Sequence, residues 1–214
     1  MNSPSNPTGR IHSADELRAV VEYARRTNTV IASDECYISF PASEKKPISI
    51  FEVAGGDNKN LLAVHSLSKR SNLAGYRAAF VVGDSALIAK ILEVRKHAGM
   101  MVPLPVQEAM TVALGDENHV LEQAQRYRAR RIVLQSALES QGFRIDHTEA
   151  GLYLWATRGE SDWDSVKWLA QVGILATPGH FYGEAGKEHV RIALTATDHE
   201  IETAASRIRT HVGK

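Results

Sequence analysis

Short apolar runs recur through the first half of this chain, and each stops abruptly in polar or turn-forming residues. "TVIA" at 29–32 breaks into "SDE", "LLAV" at 61–64 breaks into "HSLSKRSN", and "AAFVVG" at 78–83 ends on glycine. Runs this short, without polar alternation, read as strands buried on both faces. Ahead of the first run, Ser13 and Glu16 stand as a capping box, and Leu17, Val20, Val21 and Ala24 recur at i, i+3, i+4 and i+7. That spacing predicts an amphipathic helix. Strand, polar tip, helix and strand again predict an α/β sheet covered on both faces.

From Ser85 the pattern turns helical, through "SALIAKILEVRKHAG" and then "VQEAMTVALG" after breaks at Pro103 and Pro105. A long helix is predicted over 117–141, with Val120, Ala124, Tyr127, Leu134 and Leu138 on one face and Arg126, Arg128, Arg130 and Arg131 on a solvated basic face. Beyond it the character changes. "GFRID", "LYLWA", "ILAT" and "HVRIAL" read as short strands. Ser161 with Asp164 opens a helix that runs through Ala170 and closes at Gly173, and Thr197 with Glu200 caps a final helix carrying Ile201, Ala204, Ala205, Ile208 and Val212. Trp155, Trp163 and Trp168 read as core or interface residues. The expected division is residues 1–116 as one partial α/β domain and 117–214 as the long connecting helix plus a small α+β domain.

Charge narrows the partners. Lys plus Arg number 25 and Asp plus Glu number 25, so no overall field draws the chain to nucleic acid or anionic lipid. No apolar stretch approaches the ~20 residues of a membrane helix. Cys36 is the only cysteine, which excludes an internal disulfide and reads as an inert thiol in a reducing, cytoplasmic setting. No His, Asp or Glu spacing suggests a metal site. Small-molecule chemistry remains.

Polar side chains gather where the runs end: Asn6 in the opening loop, Asp34 and Tyr37 after the first run, then Ser66, Ser68 and Lys69 after the second. Open parallel sheets bind ligands at the carboxyl ends of their strands. The segments "NPTG" at 6–9, "SDECY" at 33–37, "SLSK" at 66–69 and "GYR" at 75–77, joined by "HVRIAL", resemble in order and spacing the fold type I aminotransferases that use pyridoxal 5'-phosphate. Asn6 lies 28 residues before Asp34, Lys69 lies 35 after it, and Arg77 lies eight after Lys69. The resemblance covers essentially the whole chain.

The resemblance implies a role for each matched residue. Lys69 is the lysine whose amine joins the cofactor and then carries a proton between the substrate α-carbon and the cofactor's C4′; a primary amine that can be neutral suits both tasks, and arginine suits neither. Asp34 keeps the pyridine nitrogen protonated, making the ring an electron sink. Asn6 and Tyr37 hydrogen-bond the ring's 3′ oxygen, while Ser66, Ser68 and Arg77 hold the phosphate. Arg191, with Asn6, receives the substrate's α-carboxylate on a planar donor fork. Between Val190 and Ile192 in a strand, it faces away from both. His65 and His180 read as satisfied structural histidines. Glu35 does not form an acid/base pair with Asp34, because neighbours on an extended segment point opposite ways.

The run "HSLSKRSNLAGYRAAFV", with "SDECY", Arg70 and Asn72, is similar to succinyldiaminopimelate aminotransferases. That branch implies glutamate as amino donor and N-succinyl-2-amino-6-oxopimelate as acceptor, in lysine and diaminopimelate biosynthesis. The resemblance also implies a homodimer, and a fold made of the C-terminal part of a large domain, with a mostly parallel sheet between helices, plus a small α+β domain. The opening "MNSPSNPTGR" is a cluster of turn formers, expected between regular segments. Against the family it implies that an N-terminal part is lacking. Two other readings use the same residues: a different pyridoxal phosphate reaction on this fold, such as a carbon–sulfur β-lyase, and a truncated product without catalysis.

Overall fold

The first helix starts where its capping box places it. In the computed structural model, which describes residues 1–211, Ser13 precedes α1 (Ala14–Thr27), its hydroxyl accepting from the Glu16 N–H at 3.2 Å while the Glu16 carboxylate accepts from the Ser13 N–H at 2.8 Å. Leu17, Val21 and Ala24 are buried on its inner face, and the last two share a core with Ile50, Ala54, Leu61 and Ala63. Each large apolar side chain there stabilises the fold by about 1.5–3 kcal/mol. Asn28, at φ 53°, turns the chain out of the helix, and the Thr29 N–H is used on the Ala24 carbonyl. Thr29 and Val30, expected in the first strand, are therefore the helix exit, and strand pairing begins at Ile31.

That strand, β1 (Ile31–Asp34), runs parallel to β2 (Leu61–Ser66), and β3 (Ala79–Gly83) runs antiparallel to β2, giving the order β1-β2-β3. The connection into β3 is taken up by a four-residue helix, α2 (Leu67–Arg70), and a 3-10 turn at Ala74–Tyr76. It holds no long crossover helix, so the chain folds straight back. The expectation that this last strand is buried fails: Val82 is 39% exposed and Ala79 is exposed. Gly83 closes the ladder at φ 142°, where a Cβ would sit 2.1 Å from the Leu61 carbonyl oxygen.

Two helices follow. In α3 (Ser85–His97) the Asp84 carboxylate caps the N–H groups of Ala86 and Leu87. In α4 (Leu104–Leu114) only Pro103 stands outside the helix. Pro105, expected as a second break, lies in the first turn, where its missing N–H has no helical partner to lose. Neither helix buries a residue. Then α5 (Asn118–Glu139) buries all five of its expected core residues.

The chain clusters into two units: Met1–Pro4, Ile11–Ser39 and Lys46–Glu122 form the first, and Ser5–Arg10, Phe40–Lys45 and the chain from Gln123 onward form the second. The second is built on a four-stranded antiparallel sheet, β4 (Arg144–Ile145), β5 (Tyr153–Thr157), β6 (Thr177–Pro178) and β7 (Val190–Ala193), in the order β4-β5-β7-β6. With it go α6 (Asp162–Gln171), capped by Ser161, and α7 (Asp198–Thr210), opened by the Thr197–Glu200 capping box. The predicted "ILAT" strand is mostly absent. The Ile174 N–H bonds the Leu169 carbonyl as part of the helix exit around Gly173, and Leu175 is 95% exposed. Val212, expected on the last helix, lies outside the described residues. Among the described residues, no helix is long and apolar enough to cross a membrane, and no group of three His, Cys, Asp or Glu residues is placed to hold a metal.

Of the two readings given for Trp163, core and interface, its 48% exposure removes the first. One expectation about the surface is corrected. The basic face of α5 is largely engaged: Arg128 donates to the Pro41 carbonyl and pairs with Glu44 at 3.1 Å, and Arg130 meets Asp198 at 2.5 Å. Arg131 is buried, donating to the Gly151 carbonyl at 2.5 Å, the Tyr153 carbonyl at 3.2 Å and the Thr148 hydroxyl. Only Arg126 remains as a fully exposed member of that set. Burial brings the Arg131 pKa down to about 10, which still leaves it charged at neutral pH. Arg131→Met, which strands these acceptors, is expected to lower stability by about 2–4 kcal/mol, and Arg126→Met by under about 0.5 kcal/mol. Urea unfolding of the two variants checks the difference.

Candidate active site

The parallel register places Ile31 opposite Leu61 and Asp34 opposite Val64, so β1 ends two residues short of the end of β2 at Ser66. Asp34 is the last residue of β1. Its backbone N–H donates to the Met1 carbonyl, and its own carbonyl accepts from Ser3 and from the Asn2 side chain. Those bonds pin the strand end while the carboxylate turns outward. One carboxylate oxygen accepts from the Cys36 N–H at 3.1 Å, an Asx-type turn that swings the chain away from the strand. Tyr37, three residues after Asp34, is buried.

From the end of β2 the chain enters α2. The Ser66 hydroxyl accepts from the Ser68 N–H at 3.1 Å and donates to the Ala78 carbonyl at 3.4 Å, while Leu67 is fully buried. Lys69 is thereby presented half-buried, with no hydrogen bond or ion pair to its amine among the described residues. Lys69 and Asp34 both act on Cys36. Burial, reinforced by the Asp34 carboxylate, pushes that thiol up to about 12, and the Lys69 ammonium acts in the opposite direction. Such a thiol is protonated and inert at neutral pH. Arg77 sits at φ 54°, exposed, one guanidinium nitrogen bonded to the Ala74 carbonyl at 2.9 Å.

On the other face of the same strands lies a pair that the sequence did not reveal. Glu35 is 1% exposed; one oxygen accepts from the Ile50 N–H at 2.9 Å, and the other lies 3.6 Å from the His65 Nε2. With Cys36, Ser66, Arg70 and Phe80 they line a cavity of about 110 Å³.

The second unit holds the other two assigned residues, and they meet: an Arg191 Nη1 donates to the Asn6 Oδ1 at 3.1 Å. Asn6 lies in a turn closed by the Gly9 N–H on the Ser5 carbonyl, with Gly9 at φ 72° and so close to Ala150 that a Cβ would fall 2.7 Å from its oxygen. Val190 and Ile192 are buried, and Arg191 points to the opposite face of β7. Its guanidinium carbon stands 4.1 Å from the Tyr153 ring centroid and 5.1 Å from that of Tyr182. Tyr182 in turn meets Trp155 edge-on, Trp155 stacks on His189 at 4.9 Å, and His189 bonds Asp146 at 2.8 Å. Neither tyrosine was legible as a site residue, because periodicity does not say which strands pair. His180 is engaged by Asp162, which accepts from its backbone N–H at 2.9 Å and lies 2.5 Å from its Nδ1.

Two parallel strands, one ending in an acid and the other leading into a turn that carries an unpaired lysine, on a mixed α/β unit, define a fold type I transferase framework. The chain belongs to the family aminotransferase class I and II, which it matches over residues 1–208. It is 57% identical over 210 residues to the 4-dedimethylamino-4-oxo-anhydrotetracycline transaminase OxyQ of Streptomyces rimosus, covering 97% of this chain and 58% of that protein. It is 33% identical to an LL-diaminopimelate aminotransferase of Maridesulfovibrio salexigens, over 97% of this chain and 55% of the relative. Among solved structures it resembles an aminotransferase from Neisseria meningitidis, with TM-score 0.89 and 33% identity over 97% of this chain and 56% of that one. It also resembles N-succinyldiaminopimelate aminotransferase from Mycobacterium tuberculosis, with TM-score 0.87 and 25% identity over 98% and 56%. The chain spans about half the length of the curated relatives it matches.

This family is pyridoxal-phosphate-dependent, and the donor set fits the cofactor. An amine without a partner suits an aldehyde, Asp34 suits a protonated ring nitrogen, and the exposed Arg77 suits a phosphate.

Asp146 offers a check on the scaffold around Arg191. Arg144 above all, and then His189, hold its carboxyl well below the usual carboxylate range, against the opposing effect of burial. A folded pKa below the unfolded value of about 3.9 contributes stability above that value, lost as pH falls through it and below. Asp146→Asn is expected to lower the urea midpoint at pH 7 and to flatten its decline below about pH 4. An unchanged acid limb would count against the pairing.

Proposed function

We propose that this chain carries the lysine-bearing part of a pyridoxal-phosphate-dependent transaminase, exchanging an amino group between an amino acid and a 2-oxo acid or aldehyde acceptor. One observation carries the reading: the unpaired, half-buried Lys69 on α2, the turn that leaves β2, whose parallel neighbour β1 ends on Asp34. Bound pyridoxal phosphate supplies an electron sink for the charge left when the substrate's α-proton departs. The Lys69 amine, once neutral, would take that proton from the substrate α-carbon and hold it for return. Asp34 keeps a positive charge on the ring nitrogen. Asn6 and Tyr37 donate to the ring oxygen, and Ser66, Ser68 and Arg77 hold the phosphate. Arg191 binds the α-carboxylate with its fork flattened against Tyr153 and Tyr182.

For the substrates we assign glutamate as donor and N-succinyl-2-amino-6-oxopimelate as acceptor. The likeness to the mycobacterial N-succinyldiaminopimelate enzyme and to LL-diaminopimelate aminotransferases supports that choice. A second acceptor, an oxo-tetracycline, is favoured by the 57% identity to OxyQ. The reading includes a homodimer in the cytoplasm, and a partition at residue 116 into large-domain and small-domain parts.

The test begins with the cofactor. Incubated with pyridoxal phosphate and reduced with borohydride, the chain is expected to carry a pyridoxyl group on Lys69 by peptide mass mapping, and Lys69→Ala is expected to carry none. Labelling elsewhere, or none in the parent, overturns the assignment. Glutamate should yield 2-oxoglutarate; pyruvate and ammonia from a cysteine-type substrate would instead place the chain among β-lyases. Arg191→Lys is expected to raise the donor's KM about tenfold to hundredfold with little change in kcat, matching the ~1.5–3 kcal/mol of one charge-assisted hydrogen bond.

A further inference from the structure

We propose that Arg70, Ser71 and His119 are positioning residues that fix the direction in which Lys69 is held. This rests on the reading of Lys69 as the reactive amine. The α2 turn is only four residues long. Four residues cannot sustain a helix by their own hydrogen bonds, since nucleation is costly and only longer helices recover it. The geometry of Lys69 must therefore come from tethers at both ends of the turn.

At the N-terminal end the tethers are the Ser66 cap and the buried Leu67, whose N–H donates to the Ala78 carbonyl at 3.2 Å. At the C-terminal end the Ser71 and Leu73 N–H groups bond the Leu67 carbonyl, both at 3.1 Å, closing the turn on itself, and side chains tie it to α4 and α5. Arg70 donates to the Ala113 carbonyl at 2.8 Å and to the Ser71 hydroxyl at 3.3 Å, and its other terminal nitrogen pairs with Glu117. Ala113 lies in the last turn of α4, where carbonyls have no helical donor, so Arg70 fills a vacancy intrinsic to the helix end. The Ser71 hydroxyl oxygen lies 3.0 Å from the His119 Nε2, and the His119 Nδ1 lies 2.8 Å from Asp116. Asp116 also accepts from the Asn118 N–H at 2.8 Å.

The directions agree. With the His119 Nδ1–H donating to Asp116, the Nε2 is placed to accept from the Ser71 hydroxyl, whose oxygen accepts from Arg70, so each of these three donors meets an acceptor. The two residues that follow Lys69 are thus bolted to the junction of α4 and α5, more than forty positions away in sequence. Nothing on α2 itself replaces this. Loss of the network frees the turn carrying Lys69 without removing a group that touches cofactor or substrate.

Two variants, Arg70→Met and Ser71→Ala, test this on the full chain. In hydrogen exchange without cofactor, amides of residues 67–73 are expected to exchange roughly tenfold faster in each variant, with β2 unchanged, as the loss of one such bond implies. With pyridoxal phosphate, borohydride trapping at Lys69 is expected to slow roughly tenfold and the apparent pKa of the yellow absorbance to shift. Arg70→Lys, which retains the charge without the fork, should restore part of the rate. Parent-like exchange of 67–73 in both variants overturns the proposal. If the parent chain forms no Lys69 adduct, the transaminase reading falls while the exchange measurement still decides the clamp.

Discussion

The parallel pairing of β1 with β2 is the constraint on which the first unit's chemistry depends. Because Asp34 and Val64 share a register position, β1 ends two residues before β2, which stays in the sheet to Ser66. The pairing persists one step further, the Glu35 N–H donating to the Val64 carbonyl at 2.9 Å. Alternation then sorts the side chains. Asp34 goes to one face, while Glu35 and His65 go to the other and meet beneath the sheet. A one-residue slip would exchange the faces, burying Asp34 and exposing Glu35. The core under α1 resists such a slip, since Leu61 and Ala63 of β2 are held against Val21 and Ala24.

What could be read from residues alone follows a physical division. Features written in one stretch of chain were legible. Three helix starts have local chemistry, a hydroxyl followed three positions later by an acceptor, and Ser13, Ser161 and Thr197 each cap as their spacing predicts. The core face of α5 was equally plain. Features that depend on a partner distant in sequence were not. The direction of β3 is set by what fills its connection, the shortness of β6 by how α6 exits, and the burial of Arg131 by carbonyls twenty or more positions away. The site divides in the same way. Motif spacing singled out Asp34 and Lys69, whereas the rings beside Arg191 required knowledge that β5 pairs with β7.

Arg131 and Arg191 show how context separates structure from binding. Arg131 is enclosed and spends its terminal nitrogens on two carbonyls and a hydroxyl, so it has little donor capacity left. Arg191 makes one hydrogen bond, to Asn6, and rests against aromatic faces that attract its charge but accept little from the edge of its fork. A guanidinium held in plane, with in-plane donors unspent, suits a planar anion. Both arginines sit in the same unit, and residue type alone does not tell them apart.

Cys36 completes the reasoning about Lys69. A thiolate beside a reactive lysine would compete for an aldehyde by adding to its carbonyl, and would also draw the ammonium into an ion pair, keeping the amine charged and unreactive. Both hazards require the thiol to ionise. Burial and the Asp34 carboxylate together push that ionisation up to about 12, so at neutral pH the cysteine is a small neutral group with negligible thiolate. Burial first, and then the carboxylate that suits the ring nitrogen, thus keep the Cys36 thiol from acting as a nucleophile. Lys69 is left as the one nucleophilic amine on that turn, and its direction, set by the residues after it, becomes the remaining variable.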